Sequence, residues 1–190
     1  MDKNRRTAII VGVLILVAYS VLVSGNPEAK TLGMVAEVIS GLAVITIAVL
    51  MYPLFKPYNK NASLGYIVLR SIEGGLLVVT GILFFLSHNT LLLEIHAGIH
   101  GVLAYIFAVA ALIFYYLLYI SILIPRWISV WGFIATILLI LVNLLEVTGI
   151  TSGLMILALP IMLNEIVLAI WLIVKGFNPS AIDTASDPIY

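Results

Sequence analysis

Six long apolar segments constrain this chain more than any other feature of its sequence. Each is close to the ~20 residues that a helix needs to cross the hydrocarbon core of a bilayer, and short connections with turn-forming residues separate them. They predict helices at 7–23, 32–55, 63–87, 97–123, 127–147 and 153–174. We therefore expect an all-α fold, a polytopic transmembrane bundle of six helices. It forms one domain over 1–178 and is followed by a polar cytoplasmic tail at 179–190.

The composition agrees with a membrane protein. Of the 190 residues, 63% are hydrophobic and only 9% are charged, so a soluble domain of this length would have too few charges for its surface. The lipid bilayer is the expected partner, together with other membrane subunits or a second copy of the chain. A formal net charge of zero gives no indication of nucleic-acid binding. The absence of cysteine excludes disulfides and thiolate metal sites.

The basic residues predict the orientation. The basic N-terminal stretch and the apolar run after it could also be a signal peptide, but the run is long for one, and we interpret it as the first transmembrane helix. With that end inside, the outer connections carry only Lys30. The cytoplasmic side then holds Lys3, Arg5, Arg6, Lys56, Lys60, Arg126 and Lys175. This bias predicts a multi-pass protein of the cell membrane with both termini in the cytoplasm.

The first candidate site combines charged residues of the third and sixth segments. Arg70 and Glu73 are three residues apart and share one helix face. Glu165 in the sixth segment reaches a similar depth, ~15 Å from the cytoplasmic end of its helix, and Asn164 precedes it. If the two helices are neighbours, two carboxylates share one guanidinium. The set then carries a net negative charge that a proton, a cation or a small polar ligand would balance.

The second candidate site lies near the outer surface. His96 and His100 are spaced i,i+4, so both rings face the same way on a helix and can share a divalent metal ion. Glu37 or Glu146 could supply a third ligand, since both lie within about two turns of the outer surface. The zincin pattern needs Glu directly after the first His, where this chain has Ala97. No other cofactor is predicted, and histidines that merely lie at the membrane interface remain the alternative.

Two further motifs carry a family resemblance. The loop after the fourth segment reads Ile124-Pro125-Arg126-Trp127, and the last segment closes with Lys175-Gly176-Phe177-Asn178. Together with the Arg70/Glu73 motif, they resemble the prokaryotic membrane family named domain of unknown function 4386, over roughly residues 63–178. The resemblance implies six helices in a single domain. It implies no established activity, so it assigns no catalytic residue.

Three functions remain open from the sequence. The first is an integral membrane protein whose Arg/Glu cluster binds a proton, a cation or a small polar ligand, as a carrier, a sensor or a subunit of a membrane complex. The second is a membrane-embedded, metal-dependent hydrolase with an outer His/Glu site. The third is a structural subunit of a larger complex. The chain has no Walker loop, nucleophile elbow or dinucleotide fingerprint.

Overall fold

The structure is a computed structural model and is almost entirely helical. It describes residues 2–24, 27–87, 90–148 and 158–186, without the side chains at 23, 27, 146, 147 and 183–186. Short 3-10 segments lie at Tyr19–Val23 and Pro27–Ala29. The α-helices are Lys3–Ala18 (α1), Lys30–Phe55 (α2), Lys60–Leu86 (α3), Thr90–Ser121 (α4), Arg126–Val147 (α5), Leu159–Val174 (α6) and Pro179–Ser186 (α7). The all-α prediction is confirmed.

Five helices are long and apolar enough to cross a membrane. They are α1, with the 3-10 turn that continues it, and α2 to α5. As described, α6 has 16 residues and is about 24 Å long, less than the ~30 Å of a hydrocarbon core. Residues 149–157, which precede it, lie outside the described part of the chain. The architecture is compatible with a multi-pass membrane protein.

The first six helices form a closed ring. Each of α1 to α5 packs against the next helix along the chain, and α6 packs back against α1. The helices therefore surround a central space to which every one of them can contribute side chains. The first candidate site depended on the third and sixth helices being neighbours. In the structure they are not, since α3 packs on α2 and α4, whereas α6 packs on α1 and α5.

The outer surface of the ring is strongly apolar. Every helix from α1 to α6 exposes large aliphatic side chains, among them Ile10, Leu42, Val68, Val102, Ile134 and Ile170. Contiguous exposed apolar surface of this extent marks contact with a membrane or a partner.

Two features near the C-terminus differ from expectation. The tail contains α7, which the hydropathy pattern did not reveal. The Tyr58 hydroxyl donates a 2.6 Å hydrogen bond to the carbonyl of Ala181 in this helix, and burial raises the pKa of Tyr58, which keeps the donor protonated. The sixth apolar segment, predicted as a helix at 153–174, contains Pro160, which inside a helix would interrupt it. In the structure Pro160 lies in the first turn of α6, where the missing N–H costs no intrahelical hydrogen bond.

Candidate functional site

The ring encloses a cavity of about 370 Å³ lined by side chains from all six helices. Most of its wall is aliphatic or aromatic. The polar side chains on the wall are Tyr19, Ser40, Tyr66, Arg70, Glu73, His100 and Glu165. Both predicted clusters therefore contribute to a single space, although they approach it from different helices.

Arg70 and Glu73 form a buried ion pair within α3. Nη1 of Arg70 lies 2.9 Å from Oε2 and 3.1 Å from Oε1 of Glu73, and the residues are 7% and 5% exposed. The guanidinium also lies over two rings, with Cζ 5.6 Å from the Tyr66 centroid and 5.2 Å from that of Phe107. Nε of Arg70 is buried and has no hydrogen-bond partner among the described residues. The Arg70 guanidinium is thus buried and ion-paired, and its Nε–H still lacks an acceptor among the described residues.

Glu165 obtains its hydrogen bond from a residue that sequence reasoning missed. The Tyr19 hydroxyl, on the 3-10 turn that continues α1, donates to Oε2 of Glu165 over 2.6 Å. The expected partner of Arg70 was either Glu73 or Glu165, and Glu73 is the one that bonds to it. A tyrosine in the otherwise apolar first segment was the available signal, because a buried phenol usually requires an acceptor.

Asn164 is separate from this cluster. It is completely buried, and its Nδ2 donates a 3.0 Å hydrogen bond to the carbonyl of Ile128 on α5. Consecutive residues on a helix point in different directions. Asn164 therefore holds α6 against α5, whereas Glu165 lines the cavity.

The second cluster brings together Glu37 of α2 and both histidines of α4. Oε1 of Glu37 lies 2.8 Å from Nε2 of His96 and 3.2 Å from Nε2 of His100. The side chains are 0%, 12% and 31% exposed, in that order. The side chain of Glu146, the alternative third ligand, lies outside the described residues. Two imidazoles on one carboxylate form a set that can share a proton or hold a metal ion.

Comparison with known proteins adds the family. A family model described as "Domain of unknown function (DUF4386)" matches residues 7–176. The chain belongs to the DUF4386 family. The match includes the first two helices, which the sequence motifs left out of the resemblance, so the family spans the whole ring. No curated protein and no solved structure matches.

Two of the motifs that carry the DUF4386 resemblance, the loop at 124–127 and the segment at 175–178, meet at one end of the ring. Asn178 donates its backbone N–H to the carbonyl of Leu123 over 2.9 Å, so the segment after α6 binds the loop between α4 and α5. Gly176 has a φ of 82°, a left-handed conformation that ends α6 and favours glycine. Arg5 of α1 donates to the carbonyls of Leu172, Ile173 and Val174 at this same helix end. These motifs therefore close the ring structurally.

The glycine that follows Glu73 in this DUF4386 chain sets the spacing of α2 and α3. A Cβ on Gly74 would lie 2.5 Å from the carbonyl oxygen of Gly41, and the converse distance is also 2.5 Å. A Cβ on Gly75, in contrast, would meet nothing within 4 Å. The two backbones therefore touch at Gly41 and Gly74. This contact fixes the position of Glu73, which is adjacent in the chain.

Proposed function

We propose that this DUF4386 chain is a membrane protein that binds a small amphipathic molecule with a cationic group in its central cavity. One observation carries the proposal. The cavity has apolar walls, yet its described lining contains two carboxylates and a single fixed cation, Arg70.

The charges favour a cationic ligand. Arg70 and Glu73 neutralise each other through their ion pair. Glu165 lines the same cavity and receives its hydrogen bond from an uncharged phenol, that of Tyr19. An ionised carboxylate in a medium of low polarity is costly without a counter-charge. A ligand cation next to Glu165 supplies that charge, and the nearby ring of Tyr19 can add a cation–π contact.

The walls favour an apolar body of limited size. A volume of about 370 Å³ is near the lower end of the ~300–1,000 Å³ typical of small-molecule sites. Aliphatic and aromatic side chains such as Ile47, Leu103 and Phe114 line much of it. The ligand class is therefore a small amine with a hydrocarbon or aromatic body.

The proposed setting is a six-span protein in the cell membrane with both termini cytoplasmic. The contacts of Arg5 with the carbonyl end of α6 support it, because they put the start of α1 and the end of α6 on the same side. An even number of crossings requires this arrangement. The basic residues at these ends favour the cytoplasmic side.

Binding of two matched compounds tests the ligand class. We expect the purified protein in a neutral detergent to bind 4-phenylbutylamine by calorimetry and not 4-phenylbutyrate, which has the same apolar body and the opposite charge. Glu165→Gln should weaken amine binding about tenfold or more, because a charge-assisted contact is lost. A titration into detergent alone corrects for partition into micelles.

Glu94→Gln is the matched control, since Glu94 is exposed on α4 and should leave binding unchanged. Equal binding of the amine and the acid, or amine binding that Glu165→Gln does not alter, would contradict the proposal. Binding of neither compound would favour the structural-subunit hypothesis instead.

A further inference from the structure

The cluster of Glu37, His96 and His100 lies apart from the charged residues that the proposed function uses. It joins α2 to α4 and touches the cavity through His100. We propose that these three side chains bind one divalent metal ion of the zinc class.

The donor atoms suit such an ion. Imidazole nitrogen and carboxylate oxygen are common zinc ligands. One ligand atom from each of the three residues lies within 4.8 Å of the others. Tetrahedral coordination at about 2.0–2.1 Å puts ligand atoms roughly 3.3 Å apart. The 2.8 Å and 3.2 Å separations between Oε1 of Glu37 and the two Nε2 atoms are close to that spacing.

A second observation at Glu37 points to a cation. Its Oε2 is buried and has no hydrogen-bond partner at ordinary distance among the described residues; the hydroxyl of Thr80 lies near Glu37 but donates to the carbonyl of Leu77. The whole residue is 0% exposed. Both imidazoles are directed at Oε1, so neither partners the other oxygen. A divalent ion at the carboxylate supplies the missing partner.

Packing holds the ligands in place. The ring of His96 lies against those of Phe84 and His100, with centroids 5.0 Å and 4.5 Å apart. Gly81 of α3 allows a close approach at Glu37, because a Cβ there would lie 3.1 Å from the Cβ of Glu37. Ligands restrained in this way lose little conformational entropy when a metal binds.

Three protein ligands leave a coordination position for an exchangeable ligand, as in catalytic zinc sites. His100 lines the central cavity, so the proposed site adjoins that space. With three protein ligands it differs from a closed structural site, which has four.

Metal titration of the full-length protein tests the proposal. The protein is purified in detergent, stripped with a chelator and titrated with Zn²⁺ in competition with a chromophoric chelator. We expect one equivalent to bind. Glu37→Gln, His96→Gln and His100→Gln should each weaken binding by more than about 100-fold, because loss of a direct ligand exceeds the 10–100-fold cost of losing a ligand's own hydrogen-bond partner.

Glu94→Gln and Glu165→Gln should bind Zn²⁺ like the unaltered protein. The second variant also separates this proposal from the amine proposal, since it should lose amine binding alone. If a ligand variant fails to fold, Co²⁺ bound to the unaltered protein still gives a result, because a low-coordinate His/carboxylate site absorbs strongly in the visible range. Absence of Zn²⁺ binding, binding that survives all three ligand substitutions, or the weak spectrum of hydrated Co²⁺ would show a hydrogen-bonded contact between α2 and α4 only.

Discussion

At the scale of single residues, the enclosed charges of α3 depend on each other. Arg70 and Glu73 are almost inaccessible, and each is the other's charged hydrogen-bond partner. Removing one member leaves the other charged group buried without a counter-ion, whereas removing both removes the problem. The double substitution should therefore destabilise the protein by less than the sum of the two single substitutions.

A double-mutant cycle measures this dependence. We expect Arg70→Met to destabilise the protein by about 3–5 kcal/mol, the usual cost of breaking a buried pair from one side. Adding Glu73→Gln to it should recover part of the loss. Thermal unfolding in detergent gives the four stabilities, and a parallel cycle with Glu165→Gln should show weaker coupling, because Glu165 bonds to Tyr19. Additive effects of Arg70→Met and Glu73→Gln would contradict the ion pair.

The sequence was sufficient to predict the pairing that lies within one helix. The i,i+3 spacing of Arg70 and Glu73 does not depend on how helices are arranged. Contacts across helices were predictable only in part. The depth of Glu37 below the outer surface matched that of the two histidines, but Tyr19 escaped notice because its partner depends on α1 and α6 being neighbours.

At the scale of helices, the contact of α2 with α3 has little tolerance for added side-chain atoms. It depends on two glycines, Gly41 and Gly74, whose backbones touch. Any side chain there has to separate the helices and would move Glu73 with them.

Gly74→Ala and Gly75→Ala form a matched pair for this contact. Gly74→Ala should destabilise the protein by about 1–3 kcal/mol, as overpacking does, because its Cβ would lie 2.5 Å from a carbonyl oxygen. Gly75→Ala should be neutral or stabilising by up to about 1 kcal/mol, since alanine is the better helix former. Unfolding in detergent compares them, and equal effects would show that the close approach is not required.

The sequence predicted that a helix exists wherever hydropathy was high. It was less reliable in predicting the residues at which each helix begins and ends. The fourth helix was expected from residue 97 but begins at Thr90, because a helix can continue past the apolar core with polar residues such as Glu94. Helix α7 was not predicted, because its sequence is polar. Its packing also depends on Tyr58, a residue distant in the chain.

At the scale of the whole molecule, the ring could not be derived from the sequence. Hydropathy reports which segments are apolar, but the order of helices around a bundle depends on side-chain packing between them. The cavity follows from that order, as does the separation of α3 from α6.

Single cysteines can test the orientation directly, because the chain has none of its own. A cysteine at Thr148, after α5, should react with an impermeant thiol reagent added outside intact cells. One at Lys56, after α2, should react only after permeabilisation. Both positions are exposed. The reverse pattern would place the termini outside, and labelling at both positions from outside would contradict the three crossings, α3, α4 and α5, that separate them.

Closure of the ring also has a consequence for synthesis. Arg5 binds the carbonyl of Leu172, 167 residues further along the chain. At about 5–20 residues per second, a ribosome needs on the order of ten seconds or more to make the intervening chain. Until then α1 lacks its last neighbour, and in the proposed membrane setting the wall bearing Arg70 and Glu73 is open to the lipid or to the insertion machinery. The last helix of the ring to emerge, α6, is therefore the one that closes the ring around the cavity, and a chain stopped before Leu159 should be recognised as unfinished by the cell's quality control.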